Sequence, residues 1–162
     1  MVSLDLLKEI EIFKGFNYDQ LVSVQKYCEK VQFKHEEKIF SEGDEAIYLY
    51  AVESGKVNLR FDLPGPGRKT SEENNISSVG EYKTFGWSSM VSPFKHTLSS
   101  YCATMTCKAI RIHKDKLKKI FKEDSMTGYL FMMNLSEIIG QRFHLIQEAL
   151  AVSKGFDILH SW

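Results

Sequence analysis

Residues 31–61 read "VQFKHEEKIFSEGDEAIYLYAVESGKVNLRF", and the period of this stretch decides the fold. Apolar and polar side chains alternate in short runs, broken at Gly43-Asp44 and again at Ser54-Gly55. Alternation with period two is the mark of strands, and the two glycine-containing pairs are turn signals. The stretch therefore predicts three or four antiparallel strands joined by tight turns. Upstream the period changes. Leu4, Leu7, Ile10 and Phe13 recur at helical spacing, with Ser3 or Asp5 available as N-cap and Gly15 as a stop. A second amphipathic helix is expected from Asp19 to Lys30, carrying Leu21, Val24, Tyr27 and Cys28. Downstream, "DLPGPGRKTSEENNISS" (62–78) has the polar, glycine- and proline-rich composition of an exposed connector. "SYCATMTCKAIRIHKDKL" (100–117) alternates again and passes into helix near Lys114. Helices, many short strands, then helices describe a mainly β fold, an antiparallel barrel or roll with flanking helices.

Bulk properties narrow the functional classes. A chain of 162 residues has room for one domain and buries roughly two thirds of the surface its unfolded form exposes. Lysine plus arginine (21) balance aspartate plus glutamate (21), so any electrostatic function is local. Cys28, Cys102 and Cys107 have no C-x-x-C spacing and read as reduced thiols. "MVSLDLLKEIEIFKGF" lacks the basic region and long apolar run of a signal peptide, and no run reaches the length of a membrane span. A cytoplasmic location is expected.

The long segment from Met126 to Leu150 carries the strongest helical pattern. Its first half, "GYLFMMNL" (128–135), is apolar nearly all round; the second keeps a stripe through Leu135, Ile138, Ile139, Phe143, Ile146 and Leu150. A helix apolar on every side must be covered on every side. Either it is wedged between the strands and the N-terminal helices, or it pairs with its copy in a homodimer through Leu135, Ile139, Phe143 and Ile146. Residues 1–150 are expected to form the domain, with 151–162 as a short tail.

"FGWSSMVSPFKHTLSS" (85–100) lies between strands and offers glycine, hydroxyls and a basic pair to an anion. Taken with "FSEGDEAIYLYAVESGKVNLRF", the flanking helices and the long last helix, it resembles the cyclic nucleotide-binding domain of catabolite-activator-like regulators, kinase regulatory subunits and gated channels. The resemblance covers about residues 8 to 150. The family's F-x-x-G-D falls on Phe40, Gly43 and Asp44, and its small-to-glycine turn on Ser54-Gly55. Its hallmark F-G-E-x-A-L turn falls on Phe85, Gly86 and Met90, and "KHTLS" stands where the family has P-R-A-A-T. The resemblance implies an antiparallel β-roll of the jelly-roll, double-stranded β-helix kind. It also implies a pocket for an anionic small molecule such as a cyclic nucleotide, built on Phe85, Gly86, Trp87, Ser88, Ser89, Lys95, His96, Thr97, Leu98 and Ser99.

Two departures bear on the ligand. The family's ribose-binding glutamate is replaced by Trp87 and its phosphate-binding arginine by His96. An indole only donates, so the ribose contact is lost, and imidazole lacks the fixed, charged fork of guanidinium. Ordinary cyclic AMP is therefore expected to bind weakly or not at all. A His96 at the phosphate position would bind anions better as pH falls from about 8 towards 6.

Other chemistry finds less support. Ser88 and Ser89 lack a G-x-S-x-G context, no G-x-x-x-x-G-K is present, and no catalytic residue is expected. His35, His96, His113, His144 and His160 are scattered, so no metal or cofactor is expected, and a cupin-like metalloenzyme is a remote alternative. "KAIRIHKDKLKKIFK" (108–122) reads as a helix with a solvated lysine face. "AVSKGFDILHSW" (151–162) is too short for a helix-turn-helix, so no direct DNA binding is expected. The reading is a non-catalytic sensory or regulatory module. A scaffold that docks a protein partner through Phe156, Ile158, Leu159 and Trp162 is the alternative.

Overall fold

Alternation between residues 29 and 60 is realised as four strands, β1 (Glu29–Lys34), β2 (Lys38–Phe40), β3 (Tyr48–Ser54) and β4 (Val57–Arg60). The structure is a computed structural model that describes residues 1–62 and 75–153. Most of the 62–78 connector, His160 and the tail side chains Phe156, Ile158, Leu159 and Trp162 lie outside the described residues. Four more strands follow, β5 (Asn75–Val79), β6 (Thr84–Phe85), β7 (Ser99–Cys102) and β8 (Thr106–His113). They form two antiparallel sheets, in the orders β1-β8-β3-β6 and β2-β7-β4-β5. The fold is an antiparallel β-roll with flanking helices.

Two cores share the first sheet. Inside the roll lie Tyr50, Val52, Val57, Leu59, Val79, Phe85, Cys102, Cys107 and Ala109. The outward side chains of β3 and β8, Leu49, Ala51, Ile110 and Ile112, belong to a second core with the helices. A strand covered on both faces reads as a near-continuous apolar run, which accounts for "YLYAV".

The helical boundaries differ from expectation. Helix α1 (Leu4–Glu9), capped by the Ser3 hydroxyl, ends early, and a 3-10 turn spans Glu11–Phe13 before Gly15 at φ +80°. Helix α2 runs over Tyr18–Gln25, held by a capping box between Asn17 and Gln20. Glu29 and Lys30 are not helical, because β1 pairs with β8 from Glu29↔Arg111 onwards. Asn75–Ser78 form an edge strand rather than a connector, pairing with β4 through Asn58↔Ser78 and Leu59↔Ser77.

Helix α3 (Lys114–Glu123) follows β8 directly. Its lysines are engaged locally: Lys114 pairs with Glu45 at 2.8 Å, and Lys118 lies 5.0 Å from the Phe94 ring centroid. Helix α4 (Ser125–Ser153) buries Thr127, Phe131, Leu135 and Ile138 against the second core. Asn134 Nδ2 fastens it by donating to the carbonyls of Ile12 (2.9 Å) and Lys14 (2.8 Å). Leu135, expected at a dimer interface, is 1% exposed and packs inside its own chain. Ile139 is half-buried against the same core. Tyr129, Met132, Met133 and Phe143 are exposed away from this core, and Ile146 and Leu150 are exposed beyond Arg142. Among the described residues no helix is long and apolar enough to cross a membrane.

Candidate functional site

Strand β6 ends at Phe85, and the chain turns at Gly86 with φ +70°. A Cβ here would meet Tyr50 Cδ2 at 2.9 Å and the Tyr48 carbonyl oxygen at 3.1 Å. Glycine is thus required both for the left-handed backbone and for the close approach to β3. A 3-10 turn over Trp87–Ser89 follows.

The returning limb is tied to the Gly43-Asp44 turn. The His96 amide donates to the Asp44 carbonyl (2.9 Å), and the Gly43 amide donates to the His96 carbonyl (2.8 Å). The imidazole lies almost parallel to the Phe40 ring, 3.6 Å between centroids and 7° between planes. Phe40 in turn packs on Phe85, which stacks on Tyr50 at 5.0 Å. His96 is 5% exposed, and burial pushes its pKa down to about 4 although the Asp44 charge acts the other way. The ring is therefore neutral from pH 8 to pH 6. Desolvation works against the expectation that His96 charges across that range.

A cavity of about 700 Å³ opens between this turn, β5 and the second half of α4. Six of the ten expected residues line it: Gly86, Trp87, Ser88, His96, Thr97 and Leu98. Four do not. Phe85 and Ser89 are fully buried beneath the turn. Lys95 is exposed, its backbone in an antiparallel β-bridge with that of Glu45. The Ser99 hydroxyl donates to Asp62 Oδ2 (2.6 Å) and accepts from the Glu42 amide (2.8 Å). Ile146, expected at a dimer interface, lines the cavity too.

Several lining residues were not anticipated from sequence. Phe40, Leu59 and Ile76 come from the roll, and Arg142, Leu145, Ala149 and Leu150 from α4. Arg142 is half-buried, and its Nη2 donates to the Thr84 carbonyl immediately before the Phe85-Gly86 turn. The Thr84 amide donates to Glu11 Oε1 (2.7 Å), and Glu11 Oε2 pairs with Lys83 (2.9 Å). Burial pushes the guanidinium below its usual range while the Glu11 charge opposes the shift; an arginine keeps its charge at neutral pH regardless. Among the described lining residues Arg142 is the only charged side chain, and none is a carboxylate. One signal could have found it. Arg142 is the only lysine or arginine between Lys122 and Lys154, set in an otherwise apolar stripe.

No group of three potential metal ligands comes together among the described residues. The arrangement can hold an anion at one point and an apolar body elsewhere.

The family profile described as "Cyclic nucleotide-binding domain" matches residues 30–124, more than half of the chain. The CRP-like cAMP-activated global transcriptional regulator of Mycobacterium tuberculosis is 28% identical over 114 residues, covering 70% of this chain and 48% of that protein. The chain thus spans about half the length of the curated relatives it matches. A cyclic nucleotide-binding domain from Methylobacillus flagellatus superposes with a TM-score of 0.75 at 21% identity, covering 97% of this chain and 84% of that one. The Thermus thermophilus catabolite activator protein gives 0.68 at 20% identity, covering 89% and 63%. At such identities the two structures speak to the fold.

Proposed function

Because this chain belongs to the cyclic nucleotide-binding domain family, we propose that it is a non-catalytic sensory or regulatory module whose cavity takes an anionic small molecule and binds ordinary cyclic AMP weakly at best. One observation carries this reading. His96, which the resemblance sets in the place of the family's phosphate-binding arginine, is buried and stacked on Phe40 with its pKa pushed down to about 4, and Trp87, set in the place of the ribose acceptor, lines the cavity. A stacked neutral imidazole cannot replace a charge-assisted bond, which contributes about 1.5–3 kcal/mol.

The test is calorimetry with cyclic AMP on the unmodified protein and on the joint variant Trp87→Glu, His96→Arg. The variant should bind at least about ten-fold more tightly, since one charged contact alone is worth that much. Submicromolar binding by the unmodified protein overturns the reading. A thermal-shift panel of cyclic GMP, cyclic dinucleotides, nucleotides and aromatic acids should contain at least one stabilising ligand.

We also propose that the module pairs with a second copy along α4. Tyr129, Met132 and Phe143 are exposed on α4 and, with the half-buried Ile139, recur at heptad spacing.

A further inference from the structure

We propose that the ligand of this cavity is an amphipathic monocarboxylate, its carboxylate paired with Arg142 and its apolar body lying between α4 and the roll. This rests on the reading of the cavity as a ligand site and adds the class of ligand. The opposed walls are apolar: Leu59, Ile76 and Leu98 on the roll, Leu145, Ile146 and Leu150 on the helix. Between them Arg142 is the only charged group among the described lining residues. A guanidinium has five N–H donors, and among the described residues one is committed, to the Thr84 carbonyl. The donors with no bond to a described residue can take both oxygens of a carboxylate.

The charge count favours a single anionic group. A second carboxylate beside these half-exposed leucines and isoleucines would find no cationic partner among the described lining residues. The polar residues of β5 offer little help to a sugar or a second acid. Asn75 and Ser78 bond each other at 3.3 Å, and Ser78 bonds Asn58 at 2.7 Å. Ser77, Ser88 and Thr97 remain as hydroxyls among the lining residues. A cavity of about 700 Å³ is within the size range of sites for small organic ligands.

The experiment is calorimetric titration with decanoate below its micelle concentration, with decanol as the uncharged match. Decanoate should bind at least ten-fold more tightly than decanol. Arg142→Gln should lower decanoate affinity by about ten- to a hundredfold, the loss of a charged contact, and leave decanol within two-fold. Should Arg142→Gln fail to fold, Ile76→Asp on the exposed edge strand serves instead; its new carboxylate in the cavity should weaken decanoate at least ten-fold. Equal affinity for acid and alcohol, no effect of Arg142→Gln or of Ile76→Asp, or no decanoate binding at all overturns the proposal. These failures are separable from failure of the broader reading. Submicromolar cyclic AMP binding would refute that reading, whereas stabilisation by another anion without decanoate binding would refute only the ligand class.

Discussion

A histidine ring lying 3.6 Å from a phenylalanine ring and almost parallel to it has exchanged charge for packing, and the exchange has a pH signature. His96 protonates near 6.5 in the unfolded chain and near 4 in the folded one. Between those values the unfolded state binds the extra proton, so stability present above pH 6.5 is lost as pH falls towards 4. From pH 7 to pH 4.5 the loss from this group is about 2–3 kcal/mol. His96→Phe preserves the stack and has no proton to take. Denaturant unfolding should therefore show the variant losing about 2–3 kcal/mol less than the parent over this interval; parallel declines would place the ring in solvent. Residues of this kind were only half legible. Gly43, Gly55 and Gly86 all have positive φ (+84°, +88° and +70°), and such backbone demands write glycine into the sequence. The burial of His96 depends on Phe40, far away along the chain, and no local pattern announces it.

At the scale of the element, α4 divides its apolar residues between two fates. Leu135 and Ile138 go to the interior of the chain, while Phe143 is 60% exposed. Phe143→Glu should accordingly convert a dimer to a folded monomer, read by sedimentation at micromolar concentration, whereas Leu135→Glu should unfold the chain. A parent protein that sediments as a monomer, or a Phe143→Glu dimer, removes the pairing along this helix. The existence and length of α4 were legible from its period. Which side faced inward was not, because "GYLFMMNL" is apolar in every direction and only the contacts of Phe131 and Asn134 choose a face. Arg142 escaped notice for a related reason: a single cation in a long helix reads as solvent-facing until Thr84 is found beneath it.

For the molecule as a whole, the two cores meet at one sheet; the apolar run of β3 carries this layering, but the layering was not legible from a reading of simple alternation. Nor was the edge strand β5. Its Asn and Ser residues look like connector, and a polar, short strand is what an exposed sheet edge requires. The layering also leaves the two halves of α4 on unequal footing. Phe131, Leu135, Ile138 and the two bonds from Asn134 hold the first half to the helical core, but beyond Arg142 the helix borders an open cavity. Backbone amides should sense that inequality directly. In the monomeric Phe143→Glu protein, hydrogen exchange over 143–150 should proceed by local fraying, orders of magnitude faster than over 131–138, where it awaits global unfolding. Uniform protection along the helix would mean that it opens only as one unit. With graded protection, the wall that faces the ligand is also the part of the fold that melts first.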